Sequence, residues 1–192
     1  LDANGNFSIN QALALIEKLD LESFEYFEQP VATISEMREL RLELQKRQIP
    51  MKIAADELIR RAADPYLVTK QDACDIAVLK VQSLGGIEAA QKIANEIGID
   101  VVVSSALESS IGLTQGLHYA ASLKNLNYDC GLGTAALLAG DVTDKPLIPS
   151  EGLLEVREVT PSPELIEKYQ AAPERRDWWL ARIDRCLEIL ES

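Results

Sequence analysis

Residues 24–30 read Phe24-Glu25-Tyr26-Phe27-Glu28-Gln29-Pro30, an aromatic run that ends in a carboxylate and is halted by a proline. Aromatic side chains favour a pleated, packed setting, and proline cannot donate to a sheet ladder, so the run predicts a short buried strand ending near Gln29. A carboxylate at the mouth of such a strand is costly to bury alone. Glu28 therefore requires a cation or several donors, and the ends of neighbouring strands are the place for them. Two such ends flank it, Leu1-Asp2-Ala3-Asn4 before and Ile53-Ala54-Ala55-Asp56-Glu57 after.

Working outward, strand-like and helix-like segments alternate. Ser8 and Gln11 have capping-box spacing, and Ala12, Leu13, Leu15, Ile16 and Leu19 recur at helical intervals, which predicts a helix from Ile9 to Leu19. Thr33 and Glu36 repeat the cap before a helix carrying Met37, Leu40 and Leu44, and Met51–Ala54 reads as the next strand. Asp64-Pro65 marks a turn and a short helix. Ile76–Lys80 is a strand that ends in a base, and Gly98 closes a helix running from Ile87 to Ile97. Val101–Ser105 is a further strand, Ser110–Leu123 a helix, and Tyr128–Gly133 the last strand of the series.

Asp2, Glu28, Asp56, Lys80, Ser104 and Gly131 thus stand at successive strand ends, 24 to 28 positions apart. A βαβ crossover takes on the order of 30 residues, so this repeat favours parallel strands in either a barrel or a doubly wound sheet. Polar groups end nearly every strand, which favours a (β/α)8 barrel, whose site is built from all its strand ends, over an open sheet with a single switch point. Six of eight strands are visible, the third to the eighth in barrel terms. Residues 1–145 read as a partial barrel and 146–192 as a tail. In the tail, Leu153–Val159 is a candidate strand and Glu174–Leu190 a terminal helix, with Trp178 and Trp179 as packing residues.

A net charge of −12 argues against nucleic acid or an anionic membrane surface as partner. No apolar run approaches a membrane span and no secretory signal opens the chain. Cys74, Cys130 and Cys186 lack ligand-type spacing and are odd in number, which predicts free thiols in a cytoplasmic protein.

Asp2, Glu28 and Asp56 on successive strands would supply three oxygens to one point. Three such charges repel unless a divalent cation sits among them, and an all-oxygen set suits Mg²⁺, or Mn²⁺, better than zinc. The alternative is three unrelated carboxylates at helix N-termini, where acidic residues are favoured anyway. Lys80 reaches the same rim from an apolar strand, where a lysine can remove or return a proton near neutral pH, or simply make a salt bridge.

Asp2-Ala3-Asn4, Glu28-Gln29-Pro30, Asp56-Glu57 and Lys80 followed by Gly85-Gly86 together resemble the enolase superfamily, in its muconate-lactonizing-enzyme-like subgroup. The resemblance implies Asp2, Glu28 and Asp56 as ligands of Mg²⁺, Lys80 as the catalytic lysine of the sixth strand, and a small carboxylate substrate whose α-proton is removed to give an enediolate. The seventh strand ends in Ser104-Ser105 where a related subgroup carries a histidine; His118, the one histidine, falls inside a predicted helix and reads as structural. Val103–Gly112, Gly131-Leu132-Gly133-Thr134 and Pro173–Leu190 look like the o-succinylbenzoate synthase family of actinobacterial type. This implies dehydration of a succinyl-hydroxycyclohexadiene-carboxylate in menaquinone synthesis, with Ser104, Ser105, Gly131 and Gly133 contacting substrate. The alternative for those four is tight strand-to-loop turns.

The subgroup's Lys-x-Lys pair on the second strand and its capping domain have no counterpart in these residues. The chain therefore reads as a C-terminal portion, and by itself it is expected to have little dehydratase activity. A racemase of N-acylamino acids, a dipeptide epimerase, a muconate cycloisomerase and an inactive barrel fragment serving as a scaffold are the competing expectations.

Overall fold

The computed structural model describes residues 1–191. Its strands are β1 (Phe27–Glu28), β2 (Ile53–Ala55), β3 (Ile76–Lys80) and β4 (Asp100–Ser104). The helices are α1 (Ile9–Ile16), α2 (Ile34–Lys46), α3 (Glu57–Arg60), α4 (Leu67–Lys70), α5 (Val81–Leu84), α6 (Ile87–Glu96), α7 (Ser110–Ser122), α8 (Pro163–Lys168) and α9 (Pro173–Glu191).

Local chemistry sets the helix starts. Both expected capping boxes form: the Ser8 hydroxyl accepts from the Gln11 N–H while Gln11 reaches back to Ser8, and Thr33 and Glu36 do the same for α2. α2 buries Met37, Leu40 and Leu44, the stripe its sequence periodicity requires. α1 stops at Ile16 rather than Leu19, because Lys18 and Leu19 donate to Leu15 and Ile16 and tighten the last turn. Gly98 follows the last turn of α6 at φ +76°, a conformation that favours glycine.

The sheet is parallel, with spatial order β1-β2-β3-β4 identical to chain order. A doubly wound sheet reverses its order at a switch point; this one does not, and it continues at both edges through parallel bridges, Asp2 to Glu28 and Ser104 to Gly131. The result is an arc of a (β/α) barrel. Alternation along the strands splits the buried residues into two sets. Phe27, Ile53, Ala55, Ala77, Leu79, Val101 and Val103 face the helices and join Leu40, Met37 and Leu113 in the larger core. Ala54, Ile76, Val78 and Val102 face inward as a small separate cluster against Tyr26 and Tyr128. The two tyrosine rings meet edge to face at 5.8 Å.

Three expectations are corrected. Tyr128–Gly133 is not a strand: Gly131 alone pairs, donating to Val103 O and accepting from Ser105 N. Leu153–Val159 is likewise irregular apart from a bridge between Ser150 and Leu153 across a turn in which Glu151 and Gly152 both have positive φ. Trp178 and Trp179 do not pack in a core; they are 43% and 47% exposed and stack edge to face on each other. A helical stripe specifies one face but not what covers it. Among the described residues, no helix is long and apolar enough to cross a membrane.

Candidate active site

Strand parity places the site. Glu28 and Ala54 are register partners, as are Lys80 and Ser104, so Glu28, Asp56, Lys80 and Ser104 share the face of the inner cluster and emerge beyond it at the C-terminal ends of the strands. The bridge to Glu28 brings Asp2 alongside.

Asp56 is 1% exposed and carries the tightest contacts of the rim. Its Oδ2 accepts from Lys80 Nζ at 2.5 Å and its Oδ1 from Arg60 Nε at 3.0 Å. Arg60 also donates to Glu57 Oε1 at 2.7 Å, leaving Glu57 Oε2 buried without a hydrogen-bond partner. Arg60 escaped the sequence reading, although its i+4 spacing from Asp56 on the first turn of α3 is the spacing of a helical ion pair.

Glu28 has the opposite environment. Burial, then the neighbouring Asp2 carboxylate, push its pKa up from 4.5 to about 7, with Lys80 opposing and Asp56 and Glu57 adding to the rise. It borders a cleft of about 460 Å³ shared with Asp2, Glu25, Tyr26 and Asp129. Burial and then Glu28 raise the Tyr26 phenol to about 12.

Gln29 ties these two carboxylate positions together. It is fully buried at φ +37°. Its Nε2 donates to Val31 O at 2.8 Å, while its Oε1 accepts from Asp56 N at 3.1 Å and Leu58 N at 3.3 Å. One side chain thereby ends β1 and stitches it to the end of β2. Sequence reading assigned Gln29 only the end of a strand; a polar residue between an aromatic run and a proline was the available signal.

On the far edge the Ser105 hydroxyl lies 3.0 Å from Gly131 O and 2.9 Å from Thr134 Oγ1, and Thr134 donates to Ala106 O at 2.9 Å. The Ser104 hydroxyl reaches Gly131 O at 3.3 Å. A Cβ on Gly131 would stand 2.6 Å from Ser104 Oγ and 3.2 Å from Ser104 Cβ, so a larger residue there would displace the Ser104 hydroxyl. Gly133 precedes a 3-10 turn over Thr134–Leu137. Glu108, also missed, is 8% exposed; burial raises its pKa, and its Oε1 accepts from Ala106 N at 3.0 Å. His118 lies apart on α7, with Nε2 3.4 Å from Arg157 O.

The donor chemistry at Asp2, Glu28 and Asp56 is oxygen-only and fits a hard dication, and the raised pKa of Glu28 marks where positive charge is short. The fit is of chemistry rather than of present spacing. Among the described residues no three acidic, histidine or cysteine side chains gather closely enough to hold a metal ion, and Asp56 is paired with Lys80 and Arg60.

Known proteins resemble this chain in sequence and in fold. O-succinylbenzoate synthase of Mycobacterium ulcerans is 46% identical over 191 residues, 99% of this chain and 57% of the relative. The Mycobacterium tuberculosis protein of the same name is 45% identical over the same shares. The chain thus spans little more than half the length of the curated relatives it matches. Among solved structures, muconate lactonizing enzyme from Pseudomonas putida superposes with TM-score 0.72 at 25% identity, over 88% of this chain and 48% of that one. N-succinyl Arg/Lys racemase from Bacillus cereus shares the fold at TM-score 0.70 and 22% identity, over 87% of this chain and 46% of that one. The family model described as enolase C-terminal domain-like matches residues 1–161, which hold every site position discussed above, and the chain belongs to that family.

Proposed function

We propose that this chain carries the metal-binding and lysine half of an o-succinylbenzoate synthase, which dehydrates 2-succinyl-6-hydroxy-2,4-cyclohexadiene-1-carboxylate to o-succinylbenzoate in menaquinone biosynthesis. The observation that carries the reading is Lys80, held on the inner barrel face by a 2.5 Å contact to Asp56 and flanked by Ser104 in register, in a chain 46% identical to enzymes of that name. In this reading Asp2, Glu28 and Asp56 would hold Mg²⁺ or Mn²⁺, which when bound supplies charge neutralisation beside the substrate carboxylate. Each Asp56 oxygen accepts from one cation, Oδ2 from Lys80 and Oδ1 from Arg60, and each keeps a second lone pair that would serve a metal ion.

Lys80 Nζ is the group that holds and moves a proton. The apolar wall of Ile76, Val78 and Val102 below it limits water access, and Arg60 keeps Asp56 neutralised when Nζ turns to substrate. Ser104, at the neighbouring strand end, would contact a substrate oxygen by turning its hydroxyl away from Gly131 O.

The test uses the full-length gene product. Turnover should be lost on chelation, return with Mg²⁺ and fall by at least 10³-fold in Lys80→Ala, a size typical of removing an acid/base. Undiminished turnover after chelation would sink the metal assignment, and near-normal turnover in Lys80→Ala the role of Lys80. A substrate panel that shows α-proton exchange on N-acylamino acids without dehydration would favour the racemase reading instead.

A further inference from the structure

We propose that Arg60 is a positioning residue of the metal site: anchored on Glu57, its guanidinium fixes the orientation in which Asp56 meets the ion. This rests on the metal reading given above and extends it to a residue outside the ligand set. Asp56 stands at the N-cap of α3, where an aspartate ordinarily accepts from the N–H groups of the first turn. Here its side chain makes no such bond. Gln29 takes that role, its Oε1 accepting from Asp56 N at 3.1 Å and Leu58 N at 3.3 Å, which releases the Asp56 carboxylate to the rim.

A released carboxylate turns easily about its Cβ–Cγ bond unless both oxygens are held. Lys80, from β3, holds Oδ2, and Arg60, one turn along α3, holds Oδ1 at 3.0 Å. Arg60 gives Nε to Asp56 and Nη2 to Glu57 Oε1 at 2.7 Å, so its fork is gripped at two points. A lysine, with one ammonium on a flexible stem, cannot reproduce that grip. The anchor also sets the charge balance. The Glu57 carboxylate offsets the guanidinium, so Arg60 orients an anionic ligand without adding net positive charge beside a cation site. Groups that orient a ligand in this way typically change metal affinity by about 10–100-fold when they are removed. The whole arrangement lies within residues 29, 56–60 and 80, at the ends of three neighbouring strands.

Titration of the full-length gene product with Mn²⁺ alone, the free ion read by electron paramagnetic resonance, tests this. Arg60→Met together with Glu57→Gln removes the pair at constant net charge and should weaken Mn²⁺ binding about tenfold or more. Arg60→Lys keeps the charge without the fork and should fall between that variant and the wild type. Circular dichroism checks that each variant folds; should the double variant not fold, Arg60→Lys carries the test by itself. Mn²⁺ binding by the double variant within about twofold of wild type would overturn the proposal. So would wild-type binding by Arg60→Lys, because a point charge would then suffice. A wild-type protein that binds no Mn²⁺ would remove the metal reading and this assignment with it, whereas equal binding by wild type and variants would refute the role of Arg60 alone.

Discussion

Replacing Gln29 tests the idea that one buried amide aligns the two carboxylate-bearing strand ends. Gln29→Met keeps the volume and removes every polar contact: one donated bond to Val31 O and two accepted from Asp56 N and Leu58 N. At about 1 kcal/mol net for each hydrogen bond, with the 3.3 Å bond to Leu58 the weakest, the loss should be roughly 2–3 kcal/mol. The backbone supplies an internal control. Because φ is +37°, Gln29→Gly should be less destabilising than Gln29→Ala by about 1 kcal/mol, although glycine ordinarily costs more to order. Urea unfolding of the four proteins, with the slope m unchanged, gives each difference from the midpoint. A loss below about 0.5 kcal/mol for Gln29→Met would refute the stitching role. Glycine and alanine variants of equal stability would refute the backbone argument.

The raised pKa of Glu28 favours its protonated form in the folded state, so the stability it contributes is present below 4.5 and lost as pH rises through about 7. Relative to Glu28→Gln, the wild-type chain should lose on the order of 3 kcal/mol between pH 4.5 and 8 in urea unfolding, and a difference that stays flat with pH would contradict the assignment. Lys80→Met leaves the buried Asp56 with Arg60 as its remaining ion-pair partner and should cost about 2–4 kcal/mol. Lys80→Met with Asp56→Asn should recover more than half of that, and full additivity would argue against the pair. Cys74 is 3% exposed, with a thiol that burial pushes up to about 12, whereas Cys186 is exposed on α9. Iodoacetamide at pH 8 should therefore modify Cys186 while Cys74 stays unlabelled until urea is added, as read by peptide mass spectrometry. Early labelling of Cys74 would show local opening of its site.

What the chain determined alone was its local order. Capping residues, helical stripes and strand-ending polar groups act within a few positions, so Ser8, Thr33, Gly98 and the strand Ile76–Lys80 are legible with no knowledge of the fold. Even the shared face of Glu28, Asp56, Lys80 and Ser104 follows from the two-residue strand period once the strands are parallel. Tertiary structure decided what depends on partners far along the chain. Gly131 makes only an isolated bridge, because pairing needs a second backbone at hydrogen-bond distance and propensity cannot supply one. Asp56 became an ion-pair acceptor for Lys80 and Arg60 because the folded rim put cations beside a buried carboxylate, whereas Glu28 was left near Asp2 with its pKa raised. Two acids with the same motif logic took opposite electrostatic roles, since Coulomb and desolvation energies depend on distances in space that spacing along the sequence does not set.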